Sequence, residues 1–487
     1  MEPEQRTQPK RSNKKVVDPK YLVAGRYGTE DMCNCLGPDQ TIESILRVQG
    51  LVPETISEKY PGKVPPEAAA EIKKKATLEY ANPEDVRKEE ERTGHDVIAV
   101  TNMLTSAVEE SARPHIGKYM TSADSTETAK AVRMKKAIEI LIDSAENLRD
   151  VVLERSIEWK DIPHIQVTHL FDAVPETFGR AFANYAERLQ FGINRLKHVY
   201  DNSIYGKWSD ATGNYHAAHA VGVDGIDLEE RLCSKLGINH MIASSQVPAR
   251  EFLAEIECAI GLYMETVADL ASHIRWLKSD DVDCMFQKKD KKGSSSMPHK
   301  DSKGGNPDKE EQAKSFANQV RGFITTMMCA CEMDYGRDLT GSASDRITLD
   351  DSFKIVDEGT REIANVMYTV EPKLDRIKER IGRTYGTTTS SRVLAYLTDP
   401  ELTQNPMARK AAHDLLGKLA TKAYLERTPF SEVLRENKDI NFRLDIDTIM
   451  TISDPMTYTA ESERIIMAVY QRFHGNRTFE KGEVAKQ

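Results

Sequence analysis

The chain has 487 residues, too many for one compact core, so we expect two or three domains. A content of 39% hydrophobic and 30% charged residues is typical of a globular protein and argues against intrinsic disorder. The net charge of −10 argues against a general nucleic-acid or anionic-membrane surface. The sequence contains no run of about 18 apolar residues, so we predict no membrane-spanning helix. A locally basic pocket for a small anionic substrate remains compatible with this composition.

The first 20 residues are rich in Lys, Arg, Pro and Gln and predict a disordered tail. They lack the apolar stretch of a secretory signal. The seven cysteines are odd in number and include no C-x-x-C pair. This pattern predicts reduced thiols in a cytoplasmic protein, rather than disulfides or a metal site.

Apolar residues recur at helical spacing in four long stretches, whereas alternating strand patterns are nearly absent. In chain order the stretches cover residues 131–152, 178–200, 252–277 and 316–331. Helices of this length exceed the globular average and indicate a long bundle. We therefore predict an all-α fold whose centre is a bundle of very long helices.

Three polar segments interrupt the helical pattern at residues 203–216, 288–307 and 336–346. Each contains Gly, and the second is also rich in Ser, Lys and Pro. Functional side chains often lie on such loops between rigid elements. We expect the chemistry of this protein to depend on residues in or near these segments.

One loop motif is specific: Gly293 to Lys300 reads GSSSMPHK and is followed by Asn306-Pro307. It resembles the GSSxMPxKxNP signature of the aspartase/fumarase superfamily. Further segments resemble that superfamily in the same chain order. They are Thr121-Ser122-Ala123-Asp124, Thr168-His169 with Ala173 and Pro175, Lys207 to Tyr215, and Arg337-Asp338-Leu339-Thr340.

This resemblance implies an all-α, three-domain fold that assembles as a homotetramer with active sites shared between subunits. Its domains would cover residues 21–122, 123–372 and 373–487, after a tail at 1–20. The central domain would contain the long helix bundle. Predicted site residues lie far apart in the sequence, as sharing between subunits would require.

Within the superfamily the chain resembles the adenylosuccinate lyases. The shared features are Arg26-Tyr27, the Thr-Gly-His-Asp-Val segment with His95 and Asp96, and the set Gln246, Arg337, Ser342 and Arg346. Guanidinium forks suit phosphate oxygens, and a hydroxyl adds a directional donor. The resemblance implies a succinylated purine nucleotide as substrate, released as AMP or AICAR together with fumarate in purine biosynthesis.

By the same resemblance Ser294 is the catalytic base and His169 the general acid. Lys300 and Asn306 would bind the succinyl carboxylates, and Glu311 would orient a histidine. Thr121, Ser122 and Thr168 would complete the substrate contacts. Neither a metal nor an organic cofactor is expected, because side chains suffice for the two proton transfers.

Four positions depart from the superfamily pattern. Phe171 replaces a Gln, Asp210 replaces a Gly, and His115 lies two residues further from Thr121 than is usual. Five residues, 301–305, separate Lys300 from Asn306 where one is typical, which leaves open whether the two side chains converge.

Two alternative functions remain. The first is another fumarate-releasing lyase, such as an argininosuccinate lyase or a carboxymuconate cycloisomerase. The second is a structural protein that kept the fold without activity.

Overall fold

The structure is a computed structural model that describes residue 18 and the ranges 21–288 and 295–475, with backbone alone for residues 302 and 303. The predicted base Ser294 lies outside the described residues, as does the predicted tail apart from residue 18.

Within the described residues the chain is mainly helical. The α-helices, in chain order, are Glu30–Leu36 (α1), Pro38–Lys59 (α2), Pro66–Lys75 (α3), Pro83–Thr93 (α4), Asp96–Ala107 (α5), Ser122–Glu158 (α6), Phe178–Asn202 (α7), His216–Ala220 (α8), Gly225–Leu236 (α9), Glu251–Lys278 (α10), Asp308–Cys329 (α11), Ser342–Thr369 (α12), Leu374–Gly382 (α13), Ser390–Thr398 (α14), Arg409–Glu426 (α15), Phe430–Glu436 (α16), Lys438–Asn441 (α17), Ile446–Ile452 (α18) and Ser462–His474 (α19). Short 3₁₀ helices cover Arg113–His115, Pro298–Lys303, Asp334–Gly336, Thr387–Thr389 and Pro455–Thr457.

Five long helices pack side by side and confirm the predicted all-α bundle. The four apolar stretches of the sequence lie on α6, α7, α10 and α11, and α12 packs against α6, α10 and α11. Helix α6 is the longest, with 37 residues. Helix α12 begins at Ser342, inside a segment predicted to be a break. None of the described helices is both long and apolar enough to cross a bilayer.

Local sequence explains where several helices begin and end. The Asn82 side chain accepts a hydrogen bond from the Glu84 backbone N–H (2.9 Å) at the start of α4, which satisfies a donor that has no intrahelical partner. Gly94 ends α4 in the left-handed conformation, with φ of 69°. At the start of α6 the Thr121 backbone N–H donates to the Asp124 carboxylate (2.7 Å).

Short strands form three two-stranded sheets within the described residues. Pro163–Thr168 (β1) and Phe171–Thr177 (β2) make an antiparallel hairpin with a bulge between Ile165 and Val167. Tyr205–Gly206 (β3) pairs in parallel with Asn239–His240 (β4), and Met285–Gln287 (β5) pairs antiparallel with Val370–Pro372 (β6). The sequence pattern did not predict the hairpin.

The described chain has two hydrophobic cores. The larger runs through the bundle and includes residues from Met32 to Tyr470, and the smaller contains only residues between Val393 and Ile452. In the larger core Trp159 is buried between Phe178 and Phe182, with ring centroids 5.7 and 5.1 Å away. Fully burying one such side chain stabilises the fold by roughly 1.5–3 kcal/mol.

Candidate active site

The starts of α5 and α6 lie side by side and bring several predicted substrate contacts together. The His95 imidazole Nε2 lies 3.3 Å from the Ser122 hydroxyl, across 27 residues of sequence. His95 Nδ1 lies 3.2 Å from the Asp96 carboxylate without forming a hydrogen bond. The Arg346 guanidinium, on α12, approaches the same carboxylate to 3.9 Å. His95, Asp96, Ser122 and Arg346 therefore form one cluster, which we call the helix-start cluster.

Three helix N-termini contribute to the helix-start cluster. Asp96 and Ser122 are the first residues of α5 and α6, and Arg346 lies four residues after the start of α12, which packs against α6. Backbone N–H groups without intrahelical partners give a helix start a partial positive charge that favours anions. Arg346 adds a full positive charge, which the Asp96 carboxylate at 3.9 Å partly offsets, and its side chain is 67% exposed. This end of the bundle is thus suited to an anionic ligand.

A fully buried ion pair lies at the start of α6. The Lys207 ammonium is 2.5 Å from the Asp124 carboxylate, and neither side chain has any exposed surface. The Ser209 backbone N–H donates to Asp124 (3.1 Å), and Lys207 donates to the Asp210 carbonyl (2.6 Å). Burial raises the pKa of Asp124, and the Lys207 charge and the N–H donors oppose that rise. The pair fixes the loop after β3 to the start of α6.

A second set of buried charges joins three segments of the site. The Arg250 guanidinium binds Glu127 through both terminal nitrogens (2.6 and 3.1 Å) and lies 3.3 Å from Asp345. Lys130 binds Asp345 at 2.8 Å. We call these four residues the buried ion network. Although burial opposes it, the charges of Lys130 and Arg250 lower the pKa of Glu127 to about 2.

The buried ion network carries predicted substrate residues on its segments. Gln246 precedes Arg250 by four residues, and Arg346 follows Asp345 directly. The cavity beside the network has a volume of about 20 Å³, enough for one water molecule but far too small for a nucleotide. The network therefore acts as a scaffold under the site rather than as a ligand pocket.

The predicted general acid His169 lies at the tip of the β1–β2 hairpin. Thr168 and Phe171 pair on either side of the turn, and His169 and Leu170 are its two central residues. Leu170 and Phe171 are 85% and 77% exposed. The turn thus presents His169 to solvent in the isolated chain, together with two apolar side chains.

Lys300 and Asn306 converge in spite of the five residues between them. The Lys300 ammonium donates to the Asn306 side-chain oxygen at 3.0 Å. The segment 298–303 makes a 3₁₀ turn, after which Gly304 adopts a φ of 84°. A Cβ at Gly304 would lie 2.3 Å from the Gln287 carbonyl oxygen, so this reversal requires glycine. The turn accommodates the longer spacing, so the two residues predicted to bind the substrate carboxylates remain adjacent.

Glu311 has a different neighbour from the predicted histidine. Its carboxylate lies 3.4 Å from the Arg275 guanidinium on α10 and is 55% exposed. The preceding residue, Glu310, is fully buried and pairs with Lys278 at 2.7 Å. Within the described part of the chain no histidine forms a hydrogen bond or an ion pair with Glu311, so an orienting role for Glu311 would require a histidine from another subunit.

Four further residues that were predicted to contact the substrate lie on other segments of the chain. The Tyr27 ring packs edge-on against Phe316, with centroids 5.2 Å apart, and the Arg26 guanidinium lies 5.9 Å from the Tyr27 ring. Gln246 is half-buried in the loop before α10. The Arg337 guanidinium donates to the neighbouring Asp338 carbonyl.

Two departures from the superfamily pattern have clear local structures. Asp210, where Gly is usual, adopts a φ of 68°, and its carboxylate accepts from the backbone N–H groups of Ala211 (2.6 Å) and Ala217 (3.1 Å). His115 Nδ1 lies 3.1 Å from the Lys118 ammonium. Partial burial and the Lys118 charge lower the pKa of His115.

All seven cysteines are free thiols. Burial raises the pKa of Cys33 and Cys35 to about 11, which keeps both protonated at neutral pH. Over the residues that the structure describes, no group of three or more His, Cys, Asp or Glu side chains is arranged to hold a metal ion.

Sequence reasoning missed the residues that support the site. Lys130, Arg250 and Asp345 appear in the sequence as ordinary charged residues beside recognised motifs. Charged residues are mostly exposed, so their burial shows only in the tertiary structure. The position of Asp345 beside Arg346 was the one available signal.

Comparisons with known proteins identify the family to which the chain belongs. The sequence profile of the lyase family matches residues 62–322, more than half of the chain. Adenylosuccinate lyase from Methanocaldococcus jannaschii is 27% identical over 449 residues, which cover 91% of this chain and 93% of that protein. Adenylosuccinate lyase from Archaeoglobus fulgidus is 29% identical over 89% of this chain and 94% of its own length. Adenylosuccinate lyase from Bacillus subtilis is 28% identical over 88% and 95%.

Solved structures share the fold. A fumarate lyase from Mesorhizobium sp. BNC1 superposes with a TM-score of 0.80 at 20% identity, covering 93% of this chain and all of that one. The 3-carboxy-cis,cis-muconate lactonizing enzyme from Pseudomonas putida gives 0.79 at 20% identity, covering 94% and 99%. With its sequence match to the profile and its long-helix bundle, the chain belongs to the lyase family.

Proposed function

We propose that this chain is an adenylosuccinate lyase. It would cleave adenylosuccinate to AMP and fumarate, and the succinylated carboxamide ribotide SAICAR to AICAR and fumarate, in purine biosynthesis. The curated relatives named adenylosuccinate lyase, which align over about nine-tenths of the chain, support this substrate.

The observation that carries the proposal is the helix-start cluster. An anionic nucleotide needs a cationic, donor-rich site, and His95, Ser122 and Arg346 meet beside the starts of α6 and α12. Arg337, Ser342 and Gln246 are proposed to complete the phosphate contacts, together with Arg26 and Tyr27. The buried ion network beneath them would hold the donors in fixed positions.

The proposed mechanism is a general acid–base elimination. Ser294 would remove the proton from the succinyl Cβ, the C–N bond would break, and His169 would protonate the departing nitrogen. Lys300 and Asn306 would bind the succinyl carboxylates and stabilise the negative charge that develops during proton removal. Their adjacency at 3.0 Å supports this paired role. Thr121 and Thr168 would add hydrogen bonds, and Glu311 would orient a histidine.

We further propose a cytoplasmic homotetramer with active sites shared between subunits. The exposed His169 and the exposed apolar residues Leu170 and Phe171 support completion of each site by another chain. Domains at 21–122, 123–372 and 373–487 remain part of this proposal. The free cysteines are compatible with a reducing compartment.

An ultraviolet assay of the purified protein with adenylosuccinate tests the proposed function. We expect AMP and fumarate in equal amounts, and a loss of turnover in both Ser294→Ala and His169→Ala. A folded wild-type oligomer that releases no fumarate would contradict the proposal. Argininosuccinate and other succinyl-amines assayed in parallel would then identify a different lyase, and inactivity toward all of them would indicate a non-enzymatic protein.

A further inference from the structure

The turn that carries His169 has an unfavourable backbone. Its two central residues, His169 and Leu170, have φ values of 53° and 65°. Both lie in the left-handed region, which glycine and asparagine tolerate better than leucine. Such a conformation persists only where the surrounding structure holds it in place. The hairpin must therefore be held by contacts beyond its own strand pairing.

The base of the hairpin is anchored in the larger core. The His164 ring is 4% exposed and packs edge-on against Phe178, with centroids 4.8 Å apart. Burial is the main reason that the pKa of His164 falls to about 3, and the charges of the neighbouring His273 and Arg380 lower it further. The ring is therefore neutral and does not repel Arg380. The Gln166 amide donates to Glu176 at 2.9 Å. These contacts fix the hairpin up to its bulge between Ile165 and Val167, and the strand pairs beyond the bulge lie nearer His169.

Nearer the tip, one ion pair ties the hairpin to a distant helix. The Arg380 guanidinium on α13 donates to the Asp172 carboxylate at 2.7 Å, across 208 residues of sequence. The two side chains are 13% and 28% exposed, so solvent screens the pair only partly. Asp172 lies opposite Val167 and three residues after His169. A contact at this point restricts the swing of the tip about its base.

We propose that Arg380 is a positioning residue for His169, acting through Asp172. This inference rests on the proposed function, in which His169 is the general acid. Because α13 packs against β1, the ion pair joins the tip to the same surface that supports the base. Holding both points sets the direction in which the strained turn presents the imidazole. A displacement of about 1 Å in a catalytic group can cost roughly a hundred-fold in rate.

The test uses Asp172→Asn and Arg380→Gln, with Asp172→Glu as the conservative variant. Arg376→Gln is the matched control, since Arg376 lies on α13 but pairs with Glu379 and Asp283 instead of the hairpin. We expect kcat for adenylosuccinate to fall roughly ten- to a hundred-fold in the first two, with KM nearly unchanged. Asp172→Glu should retain most of the activity, and Arg376→Gln should match the wild type.

Hydrogen exchange of residues 163–177 gives a readout independent of activity. The amides of the hairpin should exchange faster in Asp172→Asn and Arg380→Gln, while those of α6 and α10 keep their protection. Unchanged exchange in the hairpin, or an unchanged kcat in an active enzyme, overturns the inference. Faster exchange combined with a wild type that releases no fumarate would refute the proposed function and leave the ion pair as the contact that holds the tip.

Discussion

Two groups of charged residues, those beneath the site and those proposed to act on the substrate, differ in burial and in ion pairing. Asp124, Lys207 and the buried ion network are enclosed and paired with opposite charges. His169 and Arg346 are exposed, and the Asp96 carboxylate lies 3.9 Å from the Arg346 guanidinium. The difference indicates a rigid, finished scaffold whose proposed functional groups face outward, as the proposed sharing of sites between subunits would require.

Replacing Lys207 should have the largest effect on stability. Lys207→Met leaves the Asp124 carboxylate buried without its counter-charge, and breaking such a pair costs about 3–5 kcal/mol. Chemical denaturation would measure the lower free energy of unfolding. The double variant Asp124→Leu/Lys207→Met should recover part of the loss, because no charge remains unpaired. A single variant as stable as the wild type would contradict the role of the pair.

A comparison of Glu257 with Glu127 separates the effect of burial on the pKa of a carboxyl group from the effect of ion pairing. This buried carboxyl accepts a hydrogen bond from the Ser352 hydroxyl (2.7 Å), and burial raises its pKa to about 8 in spite of that bond. Glu127, also buried but paired with cations, has its pKa lowered to about 2. Between these two glutamates, ion pairing rather than burial therefore decides the direction of the pKa shift.

The raised pKa of Glu257 predicts a dependence of stability on pH. The folded protein binds this proton more tightly than the unfolded chain, so the contribution is complete below the ordinary glutamate pKa of 4.5 and is lost as pH rises toward 8. Its slope is at most about 1.4 kcal/mol per pH unit. In unfolding measured from pH 5 to 8, Glu257→Gln should show a smaller decline than the wild type. Parallel curves would contradict the raised pKa.

Arg346→Ala should leave stability within about 0.5 kcal/mol, because the side chain is 67% exposed. The same variant should raise KM for adenylosuccinate about ten- to a hundred-fold, since a charged hydrogen bond to phosphate is lost. Arg464→Ala is a matched control, because Arg464 is 85% exposed and pairs with Glu461 on the surface. An unchanged KM would remove Arg346 from the phosphate site.

The sequence was sufficient to predict the long helices, whereas the recognition chemistry it suggested stays a prediction. The apolar stripes on α7 and α10 predicted those helices, because apolar residues that recur every 3.6 residues mark the buried face of a helix. The hairpin at 163–177 was not predicted, since its strands alternate poorly: only His164, Ile165, Pro175 and Thr177 are buried. Its two turn residues also lack the glycine or asparagine that usually marks such a turn.

Long-range pairing of charges could not be predicted from the sequence. Nothing local distinguishes Arg250 or Arg380 from a solvated arginine, because their partners lie 123 and 208 residues away. The convergence of Lys300 and Asn306 also depended on a tertiary feature, the close approach of Gly304 to the Gln287 carbonyl. The roles of His169 and Ser294 remain predictions.

Mixing two inactive variants tests most directly whether each active site is built from more than one subunit. Ser294→Ala and His169→Ala proteins would be denatured together, refolded in equal amounts and assayed for fumarate release from adenylosuccinate. If each site takes its serine and its histidine from different chains, random mixing leaves roughly a quarter of the sites intact. We therefore expect about that fraction of the activity of wild type refolded in the same way. Mixed oligomers that stay inactive, while the refolded wild type is active, would contradict the account.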